Sequence, residues 1–435
     1  NGAIVEKDAL ATSATLKDKL VEESINGIYV GASSLATYKS LAINLAGSLG
    51  NAAQGTVQLL THAGTTKTSL GAAQLNAQNA LKVHTGDYVN NTSVQAAATA
   101  STGNAAGVLV ALNNSKREVS TLSDGAQLRA NELSVRSEAK EGLSELLFQA
   151  AGSFGAAGSV VAGINRTSTK VTTDLSNSTL TGTQSLTVDS DYLHRMNTLG
   201  IAASASTGIA AAATVLVNEA NNQVLTSLVH STLLGNAIDV NAHRKLEWDL
   251  RGGAGSLSFT SMALAAMVGV NTVEGNTAVI TKSGTQIGND QTDRVTVKAD
   301  NEDELTMTQA SVSGSLASAA TAAAVLVNKV RDDATLDMDD TQIRANDVTL
   351  SATQSRNLTA RSAAASASLK LALNANVLIN LVGEEVPAMS EVTTLTGTDD
   401  HGEEETSTSW GALGTTIAEA DAVGSGSSTP ELSGS

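Results

Sequence analysis

Residues able to do chemistry are few and dispersed along this chain. The six histidines, His62, His84, His194, His230, His243 and His401, match neither a His-x-His nor a His-Glu-x-x-His spacing, so no zinc site is visible. His84 and His243 each follow an inward-alternating apolar residue by one, which places them on an outer face, and surface residues are the expectation for the set. The acidic cluster Asp332, Asp333, Asp337, Asp339 and Asp340 is the best candidate for a metal or catalytic site. Carboxylates aligned on one outer face can hold calcium and a polysaccharide, and Asp337, Asp339 and Asp340 are the residues such a lyase or hydrolase would use. No Lys or Arg cluster accompanies them, and a solvated acidic face is the better account of them. Asp399, Asp400 and His401, followed by Glu403 to Glu405, form a second acidic group inside Ser-, Thr- and Gly-rich surroundings that read as a linker. Gly152, Gly155 and Gly158 lack the Gly-Lys-Ser or Gly-Lys-Thr of a phosphate loop. With no cysteine there is no disulfide or thiolate site either, so no enzyme and no cofactor is expected.

Bulk composition narrows the partners. Lys and Arg total 26 against 43 Asp and Glu, a formal charge of -17, which argues against nucleic acid or an anionic membrane as the main partner. Aromatic residues make up 2% of the 435 residues and only two prolines occur, whereas a globular core of this size relies on Phe, Tyr and Trp for bulk. No basic-then-apolar leader and no membrane span stand out, so anchor and address are expected outside this stretch, with no direct membrane insertion by it.

The positioning elements declare themselves by repetition. A pattern of an apolar residue, any residue, then Val or Leu begins at Ile28, Leu81, Leu133, Leu186, Ile238, Val295 and Val348, at intervals of 52 or 53 residues with one of 57. A second marker closes each small-residue stretch at Thr61, Asn113, Asn165, Asn218, Asn271, Asn328 and Asn380, with its long step in the same repeat. There the chain carries an extra polar segment, Asn289, Asp290, Gln291, Thr292, Asp293 and Arg294, which reads as a loop inserted on a fixed frame.

Within a repeat, Leu336, Met338, Ile343, Ala345, Val348, Leu350 and Ala352 alternate with polar residues at period two, the pattern of half-buried strands. The small-residue segments, such as 311–327, are rich in Ala, which favours helix, but their Gly, Ser, Thr and Val content and a two-step face favour strand. The expected fold is all-β: a right-handed parallel β-helix, or β-solenoid, over 1–395 with about seven repeats of two or three turns each. Residues 396–435 are expected to be an acidic, Ser- and Gly-rich tail. Stacking strands roughly 4.8 Å apart, such an array would make a rod on the order of 70–100 Å long around a column of small side chains. Asn113, Asn165, Asn218, Asn271, Asn328 and Asn380 are expected at turn corners, where Asn tolerates left-handed backbone, and not to stack directly on one another.

The alternation of Ala-, Gly- and Ser-rich runs with V-L-V-N, V-A-G-I-N or V-L-I-N, and then L-x-V-x-A/S, resembles passenger regions of large type V secreted exoproteins of Gram-negative bacteria. It is most similar to fusobacterial filamentous adhesins, including leukotoxin-type members, and more remotely to filamentous haemagglutinins; the resemblance covers roughly residues 20 to 395. It implies an autotransporter-like passenger, secreted or held at the bacterial cell surface, that contributes to virulence through adhesion to a host-cell or bacterial surface protein or glycan. The competing expectations are a β-helical polysaccharide lyase or hydrolase and a segment of a secreted leukotoxin-type cytotoxin.

Overall fold

In the computed structural model the chain is described over residues 2–16, 20–24, 27–383, 397–398, 404–405 and 413–428, with side chains placed from 27 to 383. Every regular element in these stretches is a β-strand. The chain alternates between two sheets. In the first turn β1 (Gly2–Leu16) lies in one sheet and β2 (Leu20–Ser24) and β3 (Ile28–Ser48) in the other. The second turn repeats this with β4 (Ala52–Leu70), then β5 (Gln74–Ala77) and β6 (Ala80–Ser101). Three turns follow with one strand per sheet: β7 (Ala105–Asp124) and β8 (Gln127–Ser153), β9 (Ala157–Ser176) and β10 (Thr179–Ser206), β11 (Ala210–Val229) and β12 (Thr232–Ser258). The next two comprise β13 (Met262–Lys282) with β14 (Thr285–Gly288) and β15 (Arg294–Ser315), then β16 (Ala319–Met338) with β17 (Thr341–Arg344) and β18 (Asp347–Ser368). β19 (Leu371–Val382) opens a further turn in the first sheet, whose order is β1-β4-β7-β9-β11-β13-β16-β19, parallel throughout.

This is a two-sheet parallel β-solenoid, and the sequence repeat is its turn. Ile28, Leu81, Leu133, Leu186, Ile238, Val295 and Val348 are successive register partners, one above another. The expectation of two or three turns per repeat is therefore corrected to one. Its physical reason is strand length: 20 residues in β9 and 28 in β10, joined by two tight corners, consume a whole repeat in a single circuit. At about 3.3 Å per residue each turn is some 65–90 Å wide, while seven turns at about 4.8 Å stack only some 35 Å high. The described array is a broad slab, not the long rod expected.

Corners form where the backbone can reverse. Asn177, His230, Ser283 and Asp340 take positive φ at one corner, where Gly125 does the same at φ 73°. Asn113 and its counterparts are not there: they lie mid-strand, facing the interior. Leu60, not Thr61, is the register partner of Asn113, so Thr61 belongs to the neighbouring outward row with Asn114.

Between the sheets the interior has three zones. One is apolar, with Leu128, Leu133, Val135, Val171, Leu175 and Leu180 all essentially inaccessible. A second, toward the other corner, is rich in alanine, Ala157, Ala212 and Ala265 among them, with Leu109, Leu147, Leu216 and Met267 interleaved. The zone between holds buried Arg, Asp, Glu, Tyr, Trp and His, which corrects the expectation of a uniform column of small side chains. In the expected tail, β20 (Gly397–Thr398) pairs with β21 (Glu404–Glu405). β22 (Leu413–Ser428) runs antiparallel along β18, so part of that stretch is strand.

Candidate functional site

The alternation that makes these strands half-buried also carries polar residues inward, where they must bond to one another. Asn113 donates to Asn165 at 2.7 Å, Asn165 to Asn218 at 2.9 Å, and Asn218 to Asn271 at 2.8 Å. Asn271 continues to Asn328 at 2.8 Å and Asn328 to Asn380 at 2.7 Å. Direct stacking, which the sequence reading set aside, is what occurs, because one turn and not several separates successive copies. Identical amides at the strand spacing form a ladder in which each Nδ2 meets the next Oδ1. Glu145, from the opposite sheet, accepts from Asn113 at 2.8 Å and Asn165 at 3.1 Å. Complete burial outweighs these bonds and pushes its pKa up to about 7.

Deeper in the middle zone, Arg244 reaches Asn301 at 3.1 Å and Asp303 at 2.9 Å, and also binds Asp332. Asp332 accepts in turn from Arg356 at 2.7 Å. Two cations thus balance two carboxylates in a site that only Arg356 partly opens to solvent; burial nonetheless raises Asp303 above the ordinary carboxylate range, against the pull of Arg244. Arg117 and Asp87 form a second buried pair, joined at 2.6 Å through Nε. Tyr192 and Thr169 both donate to Glu141, at 3.1 and 3.2 Å. The sequence reading missed all of these. The signal was present: Asp87, Tyr192, Arg244 and Asn301 occupy one inward column of the second sheet, separated by whole repeats.

The candidates named from sequence do not converge. Asp332 is fully buried, whereas Asp337, Asp339 and Asp340 are exposed, so the acidic cluster is split between interior and surface. Asp337 pairs with Lys282 at 3.0 Å, and Asp340 is a left-handed corner residue. Among the described residues no group of three or more His, Cys, Asp or Glu is placed to hold a metal ion. His62 and His194 are buried, correcting the surface expectation; His194 accepts from the Trp248 indole at 3.4 Å, and burial lowers its pKa. Asp399, Asp400 and His401 lie outside the described residues.

What reaches solvent together is a charged strip on the outer face of the second sheet. Tyr88 donates to Glu138 at 2.7 Å, Lys140 pairs with Glu138 at 2.7 Å, and Arg136 bridges Glu138 and Asp191. His243 meets Asp191 at 3.0 Å, Asn241 donates to Asp189 at 2.8 Å, and Arg294 reaches Asp239 at 3.2 Å. Burial alone would raise the Asp191 carboxyl, but His243 and Arg136 hold it below its usual range. Alongside runs the inserted loop. Asn289, Asp290, Gln291 and Asp293 are exposed, while buried Thr292 accepts from the Asn289 amide at 2.9 Å and folds the loop on itself. Gly288 begins it at φ 79°, with the Arg344 carbonyl 2.2 Å from where a Cβ would stand. Chemically, the strip offers paired charges, amides and hydroxyls suited to hydrogen-bonding a polar ligand.

No family model, curated protein or solved structure matches this chain.

Proposed function

We propose that this chain is a non-catalytic display segment of a secreted or surface-held bacterial exoprotein, in which the solenoid presents outer-face rows and the 289–294 loop for attachment to a host-cell or bacterial surface protein or glycan. The observation that carries this reading is the division of labour among polar residues. The inward amides and ion pairs bond one turn to the next, as in the asparagine ladder. The outer face of the second sheet presents charged and polar side chains to solvent, and the inserted loop beside it leaves the register on either side intact. Loops on a rigid scaffold are where recognition is normally placed, and repeated weak contacts along an array add through avidity.

Replacing residues 289–293 by Gly-Asn, the connection that Gly235 and Asn236 make one turn earlier, tests the reading. The variant is expected to keep its strand-dominated circular dichroism while its binding to epithelial or bacterial cells falls. Cell binding equal to that of the parent chain sinks the placement of the contact site, and no binding by the parent sinks the adhesive role.

A further inference from the structure

The outer face of the first sheet, toward the small-residue corner, is apolar at all but one position. Across β4, β7, β9, β11, β13, β16 and β19, the four successive outward positions that begin at Ala53, Gly55, Val57 and Leu59 form four rows up the stack. In all of these rows only Thr321 has a polar side chain. Val57, Val108, Val160 and Val377 are 46%, 43%, 38% and 42% exposed, although the same strands bury Asn and Gln on their inner side. A contiguous apolar face of this kind on a chain of charge -17 requires a cover.

We infer that a second copy of this chain covers it, sheet against sheet, about a two-fold axis parallel to the stack. Three observations favour this occupant. At about 4.8 Å per strand and 3.4 Å per residue the face measures on the order of 800 Å², the share each partner contributes to a stable interface. The rows differ in size in a self-complementary way. Those starting at Leu59 and Val57 hold Ala, Val, Leu and Ile, whereas the Gly55 row is Gly or Ala except at Val108 and Val160, and the Ala53 row is mainly Gly or Ala. The axis sets the Leu59 row on the partner's Ala53 row and the Val57 row on the partner's Gly55 row, and nothing lies within 4 Å of a Cβ built at Gly55 or Gly158. The bordering row carries paired charges, Arg166 with Glu219 at 2.8 Å within it and Lys329 with Glu274 of the next row out at 3.1 Å, as an interface rim does. It holds no Trp or Tyr, which a lipid-facing border would carry. This inference stands apart from the display reading and concerns a different face.

Sedimentation equilibrium of the whole chain is expected to give twice the 44.0 kDa chain mass at tens of micromolar. Val215→Glu, at the centre of the face, is expected to weaken the dimer at least about a hundredfold, since the carboxylate would be buried without a partner. Val312→Glu, outward on the second sheet, leaves it intact. As a second arm, Ala213→Cys, the only thiol in the chain, is expected to cross-link to itself with a short bifunctional maleimide. A monomeric parent chain, a dimer indifferent to Val215→Glu with no Ala213→Cys cross-link, or a monomer that co-sediments with phosphatidylcholine vesicles would each overturn the inference, the last by assigning the face to lipid.

Discussion

Asn165 donates its side-chain amide to Asn218 at 2.9 Å across one full turn of the solenoid, and Asn218 passes the same bond to Asn271 at 2.8 Å. The ladder therefore fixes the register between strands that would otherwise be free to slip by two residues among near-identical Ala, Val and Ser. Asn218→Ala removes two bonds and leaves the Asn271 carbonyl oxygen buried without its partner. The expected loss is about 2–4 kcal/mol in urea unfolding, against less than about 0.5 kcal/mol for exposed Asn221→Ala on the same strand.

The ladder stops at its lower end for want of one residue. Leu60 lies beneath Asn113, whose Oδ1 has no partner, and Leu60 is itself buried. Leu60→Asn would supply the missing amide, so its cost is expected to stay within about 1 kcal/mol, whereas Leu109→Asn, inward on β7 with no ladder to join, should cost about 3 kcal/mol or more. Equal losses in the two variants would show that the ladder is not extendable.

Glu145 gives the interior a pH dependence. Its folded pKa, about 7, lies above the 4.5 of an ordinary glutamate, so folding favours the protonated form. Stability from this group is fully present below pH 4.5, falls as pH rises from 4.5 to 7, and is constant above; the difference is on the order of 3 kcal/mol. Glu145→Gln is expected to match the parent near pH 4 and to exceed its stability near pH 8. A parent and variant with parallel pH profiles would contradict this.

Much of the frame was legible in the residues alone. Ile28, Leu81 and Leu133 marked the register because their inward row lies in the apolar zone, where each turn repeats apolar bulk, and the 57-residue step marked the loop because an insertion shifts both markers together. The number of turns per repeat was not legible, since Ala-, Ser- and Gly-rich segments have no turn residue to announce a strand of 20 or more residues. That one error displaced the asparagines from a ladder to a corner. The central ion pairs were hidden for another reason: Arg244 and Asp332 are 88 residues apart and on opposite sheets, so only their shared inward phase links them.

Gly275 makes room for that network. A Cβ there would stand 2.7 Å from the Arg244 guanidinium and 2.6 Å from the Asn222 carbonyl oxygen, and the latter is backbone that cannot retreat. Gly275→Ala is expected to destabilise the fold by about 1–3 kcal/mol. Gly255→Ala, where nothing lies within 4 Å, should be neutral or slightly stabilising, because alanine is less costly to order. The comparison is read from denaturant midpoints at constant slope.

The outer strip is expected to show a pair of histidines titrating on opposite sides of the ordinary value. His243 is raised above 6.5 first by its hydrogen bond to Asp191, while burial lowers His84 below it, against the charge of Glu138. For His243 the sign is that of a gained anionic partner: its stabilisation is complete below 6.5 and is lost as pH climbs through the folded value. His84 works the other way, opposing folding as pH drops below 6.5. Imidazole resonances followed by NMR should place the His243 midpoint above that of His84, and Asp191→Asn should lower the former while leaving the latter nearly unmoved. If His243 titrates at 6.5 or below in the parent chain, its contact with Asp191 does not persist in solution, and the strip is a set of independent surface charges.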